Sequence, residues 1–181
     1  MDILSQALPD CIIFDGNSYK LNTDFKVWIE FEKIMRNKDL SPIIKIAYIS
    51  ELCFKEVPPA CGALFEALLD FYNGGKREKA PAEGNRKPTI SFEADGDYIF
   101  SAFYSQYGID LTDNSMHWYK FKALFSGLSE DNMIVKIMHY RSVDISSIKD
   151  KNQKEFYRKM KKLYRLEGHE ADAGLNLKAL F

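Results

Sequence analysis

Residues 107 to 128 decide the fold, and they read Tyr-Gly-Ile-Asp-Leu-Thr-Asp-Asn-Ser-Met-His-Trp-Tyr-Lys-Phe-Lys-Ala-Leu-Phe-Ser-Gly-Leu. Gly108 ends an apolar helical run, and Asn114 or Ser115 in the polar turn that follows can cap a new helix. Apolar and aromatic residues then recur three or four positions apart, which places them on one helical face. They are His117, Trp118, Phe121, Leu124, Phe125 and Leu128.

A second helix is predicted to follow this aromatic helix. Gly127 weakens the aromatic helix at its end, and Ser129 can cap the next one. Ile134, Ile137 and Met138 recur on one face of that next helix, which ends near the pair Tyr140-Arg141.

The N-terminal part predicts a small β-hairpin followed by a helix. Residues 11–14 and 18–21 flank Asp15-Gly16-Asn17, and Asp-Gly supplies the positive φ angles that a tight turn requires. A two-stranded hairpin is marginal alone, so we expect it to lean on a helix. Asn22 or Thr23 can cap the first helix, which ends near residue 37 and carries an apolar stripe of Phe25, Trp28, Ile29, Phe31, Ile34 and Met35.

Two further helices are predicted before residue 75. Ser41-Pro42 starts one of them, since proline is tolerated in the first helical turn. Its predicted buried face holds Ile44, Ala47, Tyr48 and Leu52. Val57-Pro58-Pro59 ends that helix and opens the next one, which reaches Gly74-Gly75 and has Cys61, Leu64, Phe65, Leu68, Leu69 and Tyr72 at helical spacing.

The C-terminal half predicts a strand and two more helices. Residues 89–92 are predicted as a short strand added to the hairpin. Asp95 or Asp97 starts a helix whose inward face holds Tyr98, Ile99, Ala102, Phe103 and Gln106. A last helix from Lys149 to Leu166 has Phe156, Met160 and Leu163 on one face, with Tyr157 and Tyr164 beside that face and bases elsewhere.

Two segments lack a helical or strand pattern. Residues 74–88 contain no large apolar side chain that could be buried, which indicates a mobile internal linker. Residues 168–181 form an apolar C-terminal tail that contains Leu175, Leu177, Leu180 and Phe181. The prediction is therefore a mainly α fold, a single helical domain over residues 1–181 with about six helices and a small N-terminal β-hairpin.

Composition places the chain among ordinary globular proteins. Its 181 residues, 46% of them apolar and 28% charged, suffice for one sizeable core. Cys11, Cys53 and Cys61 are odd in number and sit among apolar neighbours, so we expect free thiols in a reducing compartment. The sequence has no secretory signal pattern and no apolar run of the ~18 residues that a membrane span needs. We expect a soluble, unexported chain.

No residue pattern points to catalysis or to a bound cofactor. His117 and His139 lie on predicted helices, but a metal site would need two further ligands converging on them. Asp95 and Asp97 are the nearest approach to a carboxylate pair, and helix capping is favoured for them over acid-base catalysis. Glycine-rich phosphate loops and the Gly-x-Ser-x-Gly signature are absent. We expect no enzyme activity, no metal and no cofactor.

The basic helix supplies an alternative function, nucleic-acid binding. Residues 149–165 hold eight Lys and Arg against Asp150 and Glu155. Such a surface can contact phosphates, and Tyr157 or Tyr164 could stack on bases. The whole chain, however, has a net charge of −1 and a pI near 6.3, whereas nucleic-acid-binding domains are typically basic. Nucleic acid is therefore the less favoured partner.

Several short motifs resemble those of a phage family. The motifs are Tyr107-x-Ile109-Asp110-Leu111, His117-Trp118-x-x-Phe121, Gly127-Leu128 and Tyr140-Arg141. They resemble the phage proteins known as gene product fifteen, which are encoded beside the tape-measure gene of long-tailed phages. The resemblance covers most of the chain, from Tyr19-x-Leu21-x-Thr23-Asp24-Phe25 to the basic helix after Asp150. Several relatives carry a second Trp where this chain has Tyr119.

The resemblance implies a physical role without a chemical reaction, since the family looks like the tail-assembly chaperones. A chaperone of this kind would bind the tape-measure protein and keep it soluble before the tail tube polymerises. It would act in the cytoplasm of the bacterial host and be absent from the mature virion. The tail-tube protein, a companion chaperone and self-association are further implied partners, and no membrane is implied.

The residues that we expect to contact a partner come from the family motif, the basic helix and the tail. They are Trp118, Phe121, Tyr140, Arg141, Arg158, Lys161, Lys162, Arg165, Leu177, Leu180 and Phe181. Three classes of function stay open at this point: an assembly chaperone, a nucleic-acid-binding module and an enzyme of another type.

Overall fold

The structure, a computed structural model, describes residues 3–14, 16–58, 62–75 and 88–166. Within these ranges the chain forms one β-hairpin and seven α-helices, so the predicted mainly α fold is confirmed. The elements are β1 (Cys11–Phe14), β2 (Asn17–Lys20), α1 (Phe25–Arg36), α2 (Pro42–Cys53), α3 (Gly62–Tyr72), α4 (Gly96–Tyr107), α5 (Trp118–Ser126), α6 (Met133–Ser142) and α7 (Lys151–Leu163), with a short 3₁₀ turn at Ile145–Ser147.

The chain divides into two compact units. Among the described residues, the first unit holds the hairpin, α1 to α3 and α5, and the second holds α4, α6 and α7. The single domain predicted over residues 1–181 stays a prediction. Most of the linker predicted at 74–88 lies outside the described residues, and so does the whole tail predicted at 168–181.

The hairpin forms where the sequence predicts it. Phe14 pairs with Asn17, so only positions 15 and 16 lie between the strands, and Gly16 has a φ of 74°. That positive φ is the angle that the Asp-Gly turn predicts. The hairpin leans on the end of α2, because Leu21 bridges to Phe54 and the Asn22 N–H donates to the Cys53 carbonyl at 2.7 Å.

The strand predicted at residues 89–92 is wrong, since the sheet in the described part of the chain has two strands. The segment turns instead, because Ser91 and Asp95 bond to each other. The Ser91 N–H donates to the Asp95 carboxylate at 2.9 Å, and the Asp95 N–H donates to the Ser91 carbonyl at 2.8 Å. Local bonds of this kind compete with strand pairing. Ile90 and Phe92 are buried by the turn.

Two helices of the first unit begin by capping each other. The Phe25 N–H at the start of α1 donates to the Met116 carbonyl at 2.9 Å, and the Trp118 N–H at the start of α5 donates to the Thr23 carbonyl at 2.7 Å. The first amides of a helix have no partner within the helix. Here the chain leading into each helix supplies the acceptor for the other.

The side chains that cap α1 and α5 differ from those predicted. Asp24, and neither Asn22 nor Thr23, caps α1 by accepting from the Lys26 N–H at 2.8 Å. At α5 the His117 ring nitrogen Nδ1 accepts from the Tyr119 N–H at 3.0 Å. The predicted caps of α5 bond elsewhere: the Ser115 hydroxyl donates to the Asp24 carboxylate, and the Asn114 amide donates to the Asp110 carbonyl.

The core of the first unit is largely aromatic. The Trp118 ring stacks on Tyr72 with ring centroids 5.3 Å apart, and the Phe25 ring stacks on Phe121 at 4.8 Å. Ring pairs in these arrangements add to the stabilisation that comes from buried area. The large side chains buried in this core include Trp28, Phe31, Leu64, Leu68, Phe71, Tyr72, Trp118 and Phe121.

The last carbonyl of α3 ties that helix to α5. The Tyr72 carbonyl accepts from the Trp118 indole N–H at 2.9 Å and from the Lys122 ammonium at 2.7 Å. The same ammonium lies 4.8 Å from the centre of the Tyr119 ring. The buried Lys122 thus places its charge at the negative end of α3.

Two glycines complete the end of α3. Gly74 and Gly75 have φ angles of 83° and 69°, which glycine adopts without strain. The Gly75 N–H donates to the Asp70 carbonyl and the Gly74 N–H donates to the Phe71 carbonyl. This pattern is a Schellman motif.

In the second unit, α6 packs against both α4 and α7. α4 ends at Gly108, which has a φ of 66°, as the sequence predicts. Ile99, Ala102, Phe103, Ile134 and Ile137 form the buried faces of α4 and α6.

Gln106 holds the loop that leads into α6. Its carbonyl oxygen accepts from the Ser129 N–H at 2.9 Å and from the Asn132 amide at 2.6 Å, and its own amide donates to the Gly127 carbonyl. Ser129 was the predicted cap of α6, but the helix begins after Asn132 without a side-chain cap.

Replacing Gly74 by Ala is expected to lower the free energy of unfolding by about 1–2 kcal/mol, because a left-handed backbone strains any residue that carries a Cβ. The new Cβ would also lie 3.0 Å from the Lys122 Nζ atom. Urea unfolding of the purified variant measures the change. Gly96→Ala is the control, since nothing lies within 4 Å of a Cβ there. Equal effects of the two substitutions would contradict the account.

Candidate partner-binding surfaces

The outward face of α2 is apolar, which corrects the prediction for this helix. The predicted buried face is wrong, because Ile44, Ala47 and Tyr48 are exposed and Leu52 is only half-buried. The helix instead buries Ile49, Ser50 and Cys53. Its sequence, Pro-Ile-Ile-Lys-Ile-Ala-Tyr-Ile-Ser-Glu-Leu-Cys, is apolar around most of the circumference. Helical spacing alone therefore cannot choose the buried side.

Four side chains make up this outward surface, which we call the α2 face: Ile43, Ile44, Ala47 and Tyr48. Ile43 is 81% exposed and Tyr48 is 51% exposed, although both are large apolar side chains. Positions 43, 44, 47 and 48 lie side by side on a helix. Helices that bind other helices or grooves present anchors at this spacing. An exposed apolar cluster of this kind is typical of a protein-binding surface.

Two predicted contact residues, Trp118 and Phe121, lie in the core of the first unit. Both side chains are buried, with exposed fractions of 0% and 1%. The indole N–H of Trp118 is already bonded to the Tyr72 carbonyl. In the folded protein these residues support a surface and do not present one, so we withdraw them as contact residues.

Tyr140 forms the centre of an aromatic cluster that anchors α7. Its ring stacks on Tyr164 with centroids 5.9 Å apart and meets the edges of Phe156 and Tyr157 at 6.0 Å and 6.2 Å. Tyr157 also meets the His139 ring at 5.7 Å. The two tyrosines that we predicted could stack on nucleic-acid bases are therefore packed against other rings of the protein.

Arg141 makes a buried ion pair that the sequence did not reveal. Its two terminal nitrogens lie 2.6 Å and 2.9 Å from the two Asp95 carboxylate oxygens. It also donates to the carbonyls of Thr89 and Tyr164, at 3.0 Å and 2.6 Å. Paired carboxylate and guanidinium groups make strong, directional hydrogen bonds. Arg141 thus joins the start of α4 to the end of α7.

This pair corrects the role predicted for Asp95. Asp95 does occupy the position before α4, but its side chain makes no hydrogen bond with the first turn of that helix. Its carboxylate binds Arg141 and the Ser91 N–H instead. Asp95 and Arg141 were each noted separately in the sequence, but no local pattern links residues so far apart along the chain.

The basic residues of α7 differ in how far they reach solvent. Lys161 is half-buried, and its ammonium donates to the Val143 carbonyl at 2.7 Å. Arg158, Lys162 and Arg165 are exposed. Leu177, Leu180 and Phe181, the other predicted contact residues, lie outside the described residues.

The apolar face predicted for α7 is only partly right. Met160 is half-buried, but Phe156 is 48% exposed and Leu163 is 64% exposed. The side turned toward α6 holds Tyr157, Lys161 and Tyr164 instead. Aromatic rings and long basic side chains can both cover apolar surface while their polar ends find partners. The spacing of Phe156, Met160 and Leu163 therefore did not identify the inward side of α7.

The Cys53 thiol is free and buried. Burial raises the pKa of the Cys53 thiol to about 12, which disfavours a reactive thiolate. No three His, Cys, Asp or Glu residues in the described ranges are arranged to hold a metal ion. No helix in those ranges is both long and apolar enough to cross a membrane.

The carboxylate of Glu32 is buried in the first unit, where it contacts two other side chains of that unit. The Tyr72 hydroxyl donates to its carboxylate at 2.9 Å, and the Arg36 Nε atom lies 2.6 Å from the other oxygen. Burial raises the pKa of Glu32, while the nearby Arg36 charge acts in the opposite direction.

The family model described as Bacteriophage Gp15 protein matches residues 4–166, which include every helix described above. The chain belongs to this family. The resemblance carried by the His117-Trp118 and Tyr140-Arg141 motifs is thus confirmed. Searches among curated proteins and solved structures found no match.

Trp118 and Arg141, two residues of the Gp15 motifs, make contacts inside the two units. Trp118 ties the start of α5 to α3 and to the residues before α1, while Arg141 ties α4, α6 and α7 together. These residues stabilise the two units.

Replacing Asp95 by Ala in this Gp15 protein is expected to cost about 3–5 kcal/mol of unfolding free energy, since Arg141 would keep a buried charge without its partner. Chemical denaturation measures the loss. The double variant Asp95→Ala/Arg141→Ala should lose less than the sum of the single variants. Asp97→Ala, at an exposed position in the first turn of α4, is the control and should cost well under half as much. An additive double variant would contradict the pair.

Because of His117, we expect the protein to lose stability at acidic pH. Burial lowers its pKa below the usual value of 6.5. The ring must stay neutral because Nδ1 accepts from the Tyr119 N–H, while Nε2 lies 2.9 Å from the Pro9 carbonyl. The folded protein thus binds a proton less readily than the unfolded chain does. The stabilisation is complete above about pH 6.5 and is lost as the pH falls through the folded-state pKa.

The measurement is the urea midpoint between neutral and acidic pH for the unmodified chain, His117→Gln and His139→Gln. The raised pKa of Glu32 gives a slope of the opposite sign, but it is common to all three proteins and cancels in the differences. His117→Gln should flatten the decline in stability on the acidic side. His139→Gln, at an exposed position, should leave it unchanged. A decline that is unaffected by His117→Gln would contradict the assignment.

Proposed function

We propose that this Gp15 family protein is a tail-assembly chaperone. It binds the tape-measure protein and keeps it soluble before the tail tube polymerises. It acts in the cytoplasm of the bacterial host, is absent from the mature virion, and catalyses no reaction. The role comes from the family resemblance, and the structural observation that supports it best is the exposed α2 face.

The α2 face suits a partner that is long and rich in apolar segments. Fully burying one Ile or one comparable apolar side chain contributes roughly 1.5–3 kcal/mol. A few such anchors give moderate affinity per site, and many sites along one partner multiply the total effect. A chaperone that must later be displaced needs single contacts of low affinity and a high total affinity along the partner.

Displacement by tail-tube subunits completes the proposed cycle. Tube subunits that bind the same apolar segments would remove the chaperone one site at a time. A companion chaperone and self-association are compatible with this scheme, because either would extend the coverage of the tape-measure protein.

Nucleic-acid binding through residues 149–165 is the alternative, and two observations make it the weaker proposal. The rings of Tyr157 and Tyr164, which would have to stack on bases, are packed around Tyr140. The net charge of the chain is −1, which gives no general attraction for a polyanion.

The test is co-expression with the tape-measure protein encoded beside this chain, with the soluble, co-purifying fraction of the tape-measure protein as the readout. The double variant Ile43→Ser/Tyr48→Ser should keep the helical circular dichroism spectrum, because both side chains are exposed. It should bind the tape-measure protein at least about tenfold more weakly, since two apolar anchors are lost.

Ile13→Ser/Tyr104→Ser is the matched control. These side chains are 73% and 59% exposed, close to the values for Ile43 and Tyr48, and they lie outside α2. The control should solubilise the tape-measure protein as well as the unmodified chain does. A tape-measure protein that stays insoluble with the unmodified chain would overturn the chaperone role. Equal loss in both double variants would overturn the assignment to the α2 face.

A further inference from the structure

The side of α7 that carries most of its bases defines a second surface. Lys151, Lys154, Arg158, Lys161 and Lys162 recur at helical spacing, so they share an arc of about 100° on the helix. Glu155 is the single acid within the helix itself. We call this arc the basic stripe.

Three residues of the basic stripe, Lys151, Arg158 and Lys162, form no ion pair with another residue in the part of the chain that the structure describes. The ion pairs found there join Glu30 to Lys33, Glu32 to Arg36 and Asp95 to Arg141, and none involves Lys151, Arg158 or Lys162. Hydrogen bonds from Ser146 are the main cause of the lowered pKa of Asp144. The charges of Lys161 and Lys154 lower that pKa further. Lys151, Arg158 and Lys162 are exposed and therefore remain available to an acidic partner.

An apolar edge runs along the same helix. Phe156 and Leu163 are seven residues apart, which places them on one side of α7, and both are exposed. Two apolar anchors at this spacing are typical of a helix that receives another helix. The outward side of α7 thus offers bases along one edge and apolar side chains along the other.

The helix is held firmly enough to present this surface. Arg141 binds the Tyr164 carbonyl at one end of α7, and Lys161 binds the Val143 carbonyl. The ring of Tyr140 packs against Tyr157 and Tyr164. A surface that is already ordered before binding loses little conformational entropy when a partner arrives.

We propose that α7 is the docking site for an acidic, amphipathic α-helix of a partner protein. Carboxylates of the partner pair with the basic stripe, and its apolar side chains cover Phe156 and Leu163. A protein helix fits better than nucleic acid, because the apolar edge needs an apolar partner and the neighbouring tyrosine rings are not free to stack on bases. The proposal adds a second, chemically different surface to the α2 face. It does not depend on the tape-measure protein being the partner.

The probe is a fluorescent synthetic peptide of about 20 residues, long enough for a helix of several turns, with Glu on one side and Leu spaced by seven on the other. Fluorescence anisotropy measures its binding to the full chain. Binding should weaken when salt rises from about 0.05 M to about 0.3 M, because exposed charges are screened. A peptide with each Leu replaced by Ser should bind several-fold more weakly.

Two variants of the chain complete the test. Arg158→Glu/Lys162→Glu should weaken binding of the acidic peptide at least tenfold, and Leu163→Ser should weaken it several-fold. These positions are exposed, so the fold should be retained, which circular dichroism checks. Lys20→Glu/Lys136→Glu is the control of equal charge change at exposed positions outside α7, and it should bind the peptide nearly as well as the unmodified chain.

Two results would overturn the proposal. One is equal binding of the acidic peptide by the unmodified chain and by Arg158→Glu/Lys162→Glu. The other is tighter binding of a DNA duplex than of the peptide at about 0.15 M salt, with loss of that binding in the same variant. Neither result bears on the α2 face, so this proposal and the chaperone role can fail separately.

Discussion

The reciprocal capping of α1 and α5 is the interaction on which the first unit depends. Thr23 and Met116 lie far apart in sequence, yet each supplies the carbonyl that accepts the first N–H of the other helix. This exchange fixes where Trp118 enters the core, so that its indole can bond the Tyr72 carbonyl at the end of α3. Hydrogen bonds at their ends thus hold α1, α3 and α5 together, while the outer side of α2 stays exposed.

The features that the sequence predicted well are local ones. Gly16 turns the hairpin, Ser41 caps α2 and Gly108 ends α4, and each depends only on neighbouring residues. The features that it missed join distant parts of the chain. Asp24 could not be recognised as the cap of α1 in preference to Asn22 or Thr23, since its orientation also depends on Ser115.

The sequence was also unable to show which side of α2 and which side of α7 is exposed. α2 is apolar nearly all round, so its exposed side is decided by what packs against it. On α7, Tyr157 and Tyr164 face inward because Tyr140 and Arg141 offer them partners. Phe156 touches Tyr140 but stays 48% exposed, and Leu163 is 64% exposed. The motif residues of the Gp15 family, by contrast, were found from sequence, but Trp118 and Arg141 make internal contacts where the sequence predicted contacts with a partner. A sequence motif therefore identified the family, and the packing identified the surfaces.

Hydroxyl-radical footprinting of the chain, free and in complex with the tape-measure protein, tests the central claim most directly. The method measures the solvent exposure of individual side chains. Oxidation of Tyr48 should fall strongly in the complex, while oxidation of the similarly exposed Tyr104 should not change. If Tyr48 is oxidised at the same rate in both states, the α2 face does not bind the tape-measure protein and the proposed mechanism is wrong.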